Sequence, residues 1–279
     1  MSKTTVEITP KNDSSIYIQF KGKPKAISGH RFTALLGLEK KNMADTEIAF
    51  DLFGLRFQPE TRVMELGKIM ERPCIDYLYG DEIYLTYGFA EYNGNALDLE
   101  NKYGINGLPD AILPEYNLLV ENKVSTRYKD CQEKWKKQAQ FYAYWWNKLR
   151  KEDTGIEIKR VQVVRYYVDE NDLDWQLENY NKIIEKNIST YDFDLDTEQI
   201  EEDMKVAINK REELCKNKYE IRKNYTRFLR WLALGSVRGI IKFKVDQNIP
   251  VCKEFMKIIN KFVKQFKKGE SKWELILRD

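Results

Sequence analysis

The sequence predicts an α/β protein in which a mixed central β-sheet is flanked by helices. Hydrophobic residues at helical spacing predict helices over 60–79 and 130–149. Between them, 108–123 has the pattern of a β-hairpin, and 161–167 reads as a buried strand after the second helix. A helix, a hairpin, a helix and a further strand in this order are typical of a sheet with helical cover.

Weaker patterns predict the remaining elements. Residues 14–20 alternate like a short strand, and a helix is expected from about Ser28 to Gly37. Residues 83–110, rich in Tyr, Gly and Asn, suggest strands joined by turns. Residues 179–225 are expected to be mostly helical, and 251–268 form an amphipathic pattern with a lysine-rich face.

The chain is long enough for one large domain, or for one domain with an extension. It has 279 residues, of which 42% are hydrophobic. We divide it into a core over 1–175 and a mostly helical extension over 176–279, which is basic from about residue 205. From there to the end, 20 Lys and Arg stand against 8 Asp and Glu. Such a basic end favours a polyanionic partner, or else forms a solvated surface.

Several classes of protein are excluded. The four cysteines form no C-x-x-C pair, which argues against a disulfide framework or a zinc ribbon. A single histidine, His30, excludes sites built on histidine pairs. No phosphate-binding loop of an ATP-driven motor is present. Without a secretory signal or a membrane-spanning apolar run, we expect a cytoplasmic protein that does not associate with membranes.

The predicted hairpin brings acidic side chains together. Counting outward from a turn at 114–117 places Asp110 opposite Glu121, and side chains at such positions lie roughly 5 Å apart on one face. Lys123, two residues further, points to the same face. Two carboxylates held this close repel each other unless a cation lies between them. The pattern therefore predicts a hard, oxygen-ligated ion such as Mg²⁺ at this position.

Four motifs occur in the order and at the spacing of one nuclease family. They are Ile27-Ser28-Gly29-His30-Arg31-Phe32, the G-x-x-x-E of Gly67 to Glu71, Pro109-Asp110 with Glu121-Asn122-Lys123, and the Q-x-x-x-Y of Gln138 to Tyr142. Over residues 25–168 the chain resembles PD-(D/E)XK nucleases of the YqaJ-type viral recombinase and phage lambda exonuclease kind. The resemblance implies a restriction-endonuclease-like core. It does not reach the basic C-terminal segment.

The resemblance assigns a catalytic site. Asp110 and Glu121 would ligate the metal, the backbone carbonyl of Asn122 could complete the ligation, and Lys123 would hold or deprotonate the attacking water or stabilise the developing charge. Glu71 would be a further carboxylate ligand and would allow a second ion. The expected cofactor is Mg²⁺, with Mn²⁺ as a substitute, as one or two ions. An extra residue, Arg72, separates Glu71 from Pro73 where relatives have Glu-Pro.

The resemblance also assigns four DNA-contacting residues. Gln138 and Tyr142 share a helix face that borders the site in the family. Their alternative role is ordinary packing. Ser28 and Arg31 resemble residues that contact the phosphate at a DNA 5′ end. A helix cap at Ser28 and a surface arginine are the alternatives.

Three functions are compatible with these residues. The first is a Mg²⁺-dependent exonuclease that resects duplex DNA ends for phage-type recombination. The second is a restriction-type or defence endonuclease whose C-terminal lobe recognises DNA. The third is a non-catalytic DNA-binding protein on a nuclease fold, which the intact acidic pair with Lys123 disfavours. The resemblance implies DNA as the partner, and it allows a single-strand annealing protein and a ring-like homo-oligomer.

Overall fold

The computed structural model describes residues 5–10, 16–19, 24–39, 45–52, 61–80, 104–127, 130–216 and 273–278. The strands in these ranges are β1 (Thr5–Pro10), β2 (Ile16–Gln19), β3 (Ala111–Leu113), β4 (Leu118–Ser125), β5 (Arg160–Tyr167), β6 (Ile188–Asp194) and β7 (Trp273–Arg278). The α-helices are α1 (Gly29–Leu35), α2 (Asp45–Leu52), α3 (Arg62–Tyr79), α4 (Glu133–Leu149), α5 (Lys151–Thr154), α6 (Leu173–Glu178) and α7 (Thr197–Cys215). Short 3₁₀ helices are Pro114–Tyr116, Glu170–Asp172 and Glu185–Asn187.

The chain divides into two compact units. The first consists of Met1–Lys25, Lys40–Phe57 and Asn209–Asp279, and it holds an antiparallel sheet in the order β2-β1-β7. The second consists of Ala26–Glu39 and Gln58–Ile208. Residues from 176 to the end of the second unit, which we assigned to the C-terminal extension, thus cluster with the core. The functional division at residue 175 stays a prediction.

The second unit contains a mixed four-stranded sheet in the order β3-β4-β5-β6. β3 and β4 are antiparallel, β4 and β5 are parallel, and β5 and β6 are antiparallel. Helix α4 connects the two parallel strands, as such a connection requires a crossover. Helix α3 contacts one face of β4, where the Asn122 amide donates a hydrogen bond to the Met70 carbonyl. Helix α4 contacts the other face, where the Gln138 amide donates a hydrogen bond to Glu121. The predicted α/β class, a mixed sheet flanked by helices, is confirmed.

Helix α3 forms where its cap and its apolar residues predict. Thr61 precedes the helix, and its hydroxyl accepts a hydrogen bond from the Met64 N–H at 3.3 Å. Leu66, Met70 and Cys74, spaced by four residues, are fully buried. They pack with β5 and thereby fix the helix against the sheet that carries the hairpin.

One predicted element is wrong. We expected helix over 179–225, but Ile188–Asp194 is a strand, and helix begins only at Thr197. The strand forms because its backbone pairs with β5 along seven residues, which local propensity does not reveal. Most of the strands expected over 83–110 and the amphipathic segment 251–268 lie outside the described residues.

Candidate active site

The predicted hairpin is confirmed, and so is its register. β3 and β4 pair with Ala111 opposite Val120. Continuing this register by one residue places Asp110 opposite Glu121, at the point where β3 begins. Asp110 and Glu121 thus lie opposite each other, at the end of the hairpin away from the turn.

Asp110 is held by the backbone of the opposite strand. Its Oδ2 accepts a hydrogen bond from the Asn122 N–H at 2.6 Å. Burial raises the pKa of Asp110, although the Lys123 ammonium and the Asn122 N–H oppose that change. Asn122 is itself 6% exposed, and its amide donates to the Met70 carbonyl at 3.2 Å, which ties the hairpin to α3.

Glu121 is the most deeply buried acid of this cluster, at 2% exposed. Its Oε1 accepts hydrogen bonds from the Lys123 ammonium and, at 2.7 Å, from the Gln138 amide. Its Oε2 is buried and has no hydrogen-bond partner among the residues that the structure describes. Burial, followed by the negative charge of Asp110, raises the pKa of Glu121 to about 8. The carboxylate is therefore placed where its ionised form is unfavourable without an added cation.

Lys123 is the cation that opposes this accumulation of negative charge. Its side chain is 19% exposed and forms an ion pair with Glu121. Burial by itself would lower the pKa of Lys123, but the charges of Glu121 and Asp110 outweigh it and raise the pKa. The side chain is thus an ammonium group that can only donate hydrogen bonds.

A chain of hydrogen bonds connects Glu121 to the start of α1. The Gln138 amide donates both to Glu121 and, at 3.3 Å, to the Tyr142 hydroxyl. The backbone of Gly29 also forms a hydrogen bond with Tyr142. A Cβ atom on Gly29 would lie 2.7 Å from Gln138 Cγ and from Tyr142 Cζ, so only glycine fits here. Gln138 and Tyr142 therefore do share one helix face that borders the acids.

Glu71 reaches the same cluster from α3. Partial burial is the largest cause that raises the pKa of Glu71 to about 7, and the negative charge of Asp110 adds to it. The charges of Lys123 and Lys68 oppose this rise. Because the Glu71 side chain is exposed, water screens the repulsion and the effect is weaker than for the two buried acids. The structure brings Glu71 within electrostatic range of both hairpin acids.

Ser28 and Arg31 lie at the start of α1. Ser28 is the N-cap residue, as its alternative role predicted, but its side chain makes no capping hydrogen bond. Arg31 Nη1 donates to the Ala26 carbonyl at 2.9 Å and to Ser28 Oγ at 3.5 Å. Their contact with a DNA phosphate stays a prediction.

A charged network beside α1 was missed by the sequence analysis. Glu39 accepts hydrogen bonds from Thr33 at 3.1 Å and from Lys134 at 3.0 Å, and it lies 3.5 Å from His30 Nδ1. Burial would raise the pKa of Glu39, but the bonds from His30 and Lys134 outweigh it and lower the pKa to about 2. No local motif marks Glu39, because its partner Lys134 comes from α4, which is distant in the sequence.

The donor set fits a hard divalent cation. Within the described ranges, no group of three or more Asp, Glu, His or Cys side chains is arranged as a metal cluster. The pair Asp110 and Glu121 nevertheless offers carboxylate oxygens next to the backbone of Asn122, and one of these oxygens is buried without a partner in the same ranges. Oxygen donors of this kind suit Mg²⁺ or Mn²⁺. The molecule is thus an α/β protein with a carboxylate–lysine site on a β-hairpin.

Comparisons with known proteins give partial likenesses to solved structures alone. No family model and no curated protein matches the sequence. The chain is similar to a phage-related exonuclease from Haemophilus somnus 129PT, at 16% identity over 72% of this chain and 96% of that one, with a TM-score of 0.47. It is also similar to LHK-Exo in complex with dAMP, at 13% identity over 73% and 94%, with a TM-score of 0.46. A second LHK-Exo structure, an alkaline exonuclease from Laribacter hongkongensis, gives 14% identity over 73% and 94%, with a TM-score of 0.45. No residue role follows from a likeness at this level.

None of the described helices combines the length and the apolar character that crossing a bilayer requires.

Proposed function

We propose that this protein is a Mg²⁺-dependent deoxyribonuclease, and specifically an exonuclease that resects duplex DNA ends during recombination. The observation that carries the proposal is the convergence of Asp110, Glu121 and Lys123 on one hairpin, in the order that the nuclease motifs require. The flanking Glu71 and Gln138 support it, because both interact with the same acids.

Asp110 and Glu121 would hold the ion through their carboxylates, together with the backbone carbonyl of Asn122. Glu71 would add a ligand and permit a second ion. Mn²⁺ should replace Mg²⁺, because both prefer oxygen donors. When bound, the metal polarises a phosphate oxygen and lowers the pKa of a ligated water.

The side chains around the ion have distinct tasks in this proposal. Water attacks phosphorus in line, a new P–O bond forms, and the bond to the leaving ester oxygen breaks. The attacking water loses a proton to the solvent, and the leaving oxygen takes up a proton from the solvent. Lys123 donates a hydrogen bond to the attacking water or to the phosphate oxygen that gains charge. Gln138 orients the Glu121 carboxylate, and Tyr142 holds Gln138 in turn. Ser28 and Arg31 are the proposed contacts to the DNA backbone.

The biological setting follows from the same proposal. DNA is the substrate, and the reaction takes place in the cytoplasm. A single-strand annealing protein is a suitable partner, because resection exposes the strand on which such a protein acts. A ring-like homo-oligomer would keep the enzyme on the DNA strand during repeated cleavage.

A cleavage assay tests this function. End-labelled linear duplex and covalently closed circular DNA are incubated with Mg²⁺ or with EDTA. We expect degradation of the linear DNA in Mg²⁺ only, with the circle left intact. Asp110→Asn should lower the rate by at least about 100-fold, because a ligand carboxylate is lost. Glu115→Gln is the matched control, since Glu115 is exposed on the turn of the same hairpin.

The outcomes separate the three candidate functions. Cutting of the closed circle would replace the exonuclease by an endonuclease. DNA binding without any cleavage in Mg²⁺ or Mn²⁺ would favour the non-catalytic protein. Wild-type activity in the Asp110 variant would overturn the site assignment.

A further inference from the structure

Arg165 is a buried cation that the proposed chemistry leaves unused. It lies on β5 and is 7% exposed. One guanidinium nitrogen donates to the Ser189 hydroxyl on β6, and the group lies 5.8 Å from the ring centroid of Tyr167. Its Nε is buried, and none of the described residues forms a hydrogen bond with it. In the part of the chain that the structure describes, no Asp or Glu forms an ion pair with it.

Arg165 lies on the strand next to the one that carries Glu121 and Lys123. In the parallel pairing of β4 with β5, Arg165 is the partner of Lys123. Paired residues in a sheet project their side chains to the same face, and Glu121 shares that face with Lys123. The side chains of Arg165 and Lys123 therefore leave the sheet from adjacent positions on the same face, which α4 covers.

This arrangement is unfavourable for a protein without a ligand. Burying a charged group is costly unless an opposite charge compensates it, and the Ser189 hydroxyl and the Tyr167 ring are neutral. Lys123 forms an ion pair with Glu121 and also interacts with the charge of Asp110, whereas Arg165 forms no ion pair with any described residue. A buried guanidinium that has no carboxylate partner among the described residues, on the strand beside Lys123, leaves a place for an anion.

We propose that Arg165 binds a phosphate group of the nucleic-acid strand, beside Lys123. The inference rests on the proposed function and adds a substrate-binding residue to it. The planar guanidinium can donate two parallel hydrogen bonds to phosphate oxygens, and its place on a central strand fixes it before the substrate arrives. Arg165 positions the strand, and Lys123 acts at the reacting group.

Binding of a DNA duplex without metal tests the assignment. A fluorescein-labelled duplex of about 20 base pairs is titrated in EDTA, and anisotropy is measured between about 50 and 200 mM KCl. We expect Arg165→Met to weaken binding about tenfold or more, as for the loss of a charge-assisted hydrogen bond. For Arg165→Met, the plot of log affinity against log salt concentration should become shallower by about 0.9, which is the contribution of one phosphate contact. Arg165→Lys, which keeps a point charge but not the fork, should be intermediate.

Arg160→Met is the matched control. Arg160 is exposed at the start of the same strand, so this variant loses the same charge without a buried contact. It should keep the wild-type salt slope. Thermal unfolding without DNA supplies a second readout: Arg165→Met should unfold at the same temperature as wild type or higher, because a buried, uncompensated charge is removed.

Each outcome decides the matter. If Arg165→Met binds DNA as Arg160→Met does, the inference is wrong while the proposed function stands. If Arg165→Met loses binding together with thermal stability, and Arg165→Lys restores neither, Arg165 is a structural residue and the inference is wrong. If wild-type protein binds no DNA, both the inference and the proposed function fail.

Discussion

The affinity of the candidate site for a divalent metal should rise steeply between pH 6 and pH 8. A metal binds the ionised carboxylates, so protons compete with it. The pKa of Glu121 is raised to about 8, so about 1% of this group is ionised at pH 6 and about half at pH 8. The apparent affinity should therefore increase about fifty-fold over this range. Asp110 titrates together with Glu121, and its own raised pKa adds to the change.

Isothermal titration with MnCl₂ at pH 6, 7 and 8 measures this change. Repeating the titration at pH 7 in two buffers of different ionisation enthalpy gives the number of protons released. Close to one proton per ion is expected from Glu121, because about nine tenths of this group is protonated at pH 7 in the free protein. The same experiment thus gives the pH dependence of the metal affinity and the proton release that causes it.

Two variants identify the titrating group. Glu121→Gln should bind Mn²⁺ weakly and lose most of the pH dependence. Glu115→Gln, the same substitution on the exposed turn of the hairpin, should behave as wild type. A wild-type affinity that is unchanged from pH 6 to pH 8 would show that Glu121 is ionised already at pH 6 or is not a metal ligand, and the prediction would be wrong.

Three further predictions concern the residues that support the site. Gly29→Ala should lower the free energy of unfolding by about 1–3 kcal/mol, because the added Cβ would meet two side chains at 2.7 Å. Gly67→Ala, with open space around it, should be neutral or stabilising, and urea denaturation of both variants measures the difference. Gln138→Leu should weaken Mn²⁺ binding about tenfold in calorimetry by removing the amide that orients Glu121, and an unchanged affinity would contradict this role. Glu39, with its pKa lowered from 4.5 to about 2, should contribute stability that is present above pH 5 and lost as pH falls towards 2. The expected loss is roughly 3 kcal/mol, and urea denaturation of Glu39→Gln should lack this part of the pH dependence.

The hairpin could be predicted from the sequence because its signals are local. A proline-containing turn between two apolar runs indicates a hairpin, and counting outward from that turn gives which residues face each other. The register with Ala111 opposite Val120 followed, and with it the approach of Asp110 to Glu121. Helix α3 was likewise predictable, because its apolar residues repeat every four positions.

Features that depend on distant partners could not be predicted. β6 lies in a charged stretch and becomes a strand through its pairing with β5. Gly29 must lack a side chain only because α1 approaches Gln138 and Tyr142 of α4. Arg165 is buried because helix α4 covers its face of the sheet. The sequence shows an arginine in an apolar strand, but not the absence of a counter-ion.

A crystal soaked in Mn²⁺ tests the central claim most directly. An anomalous difference map locates the ion without any assumption about activity. We expect a peak ligated by the carboxylates of Asp110 and Glu121, next to the Asn122 carbonyl. A fully soaked crystal with no peak at that place, or with the two acids turned away from each other, would contradict it.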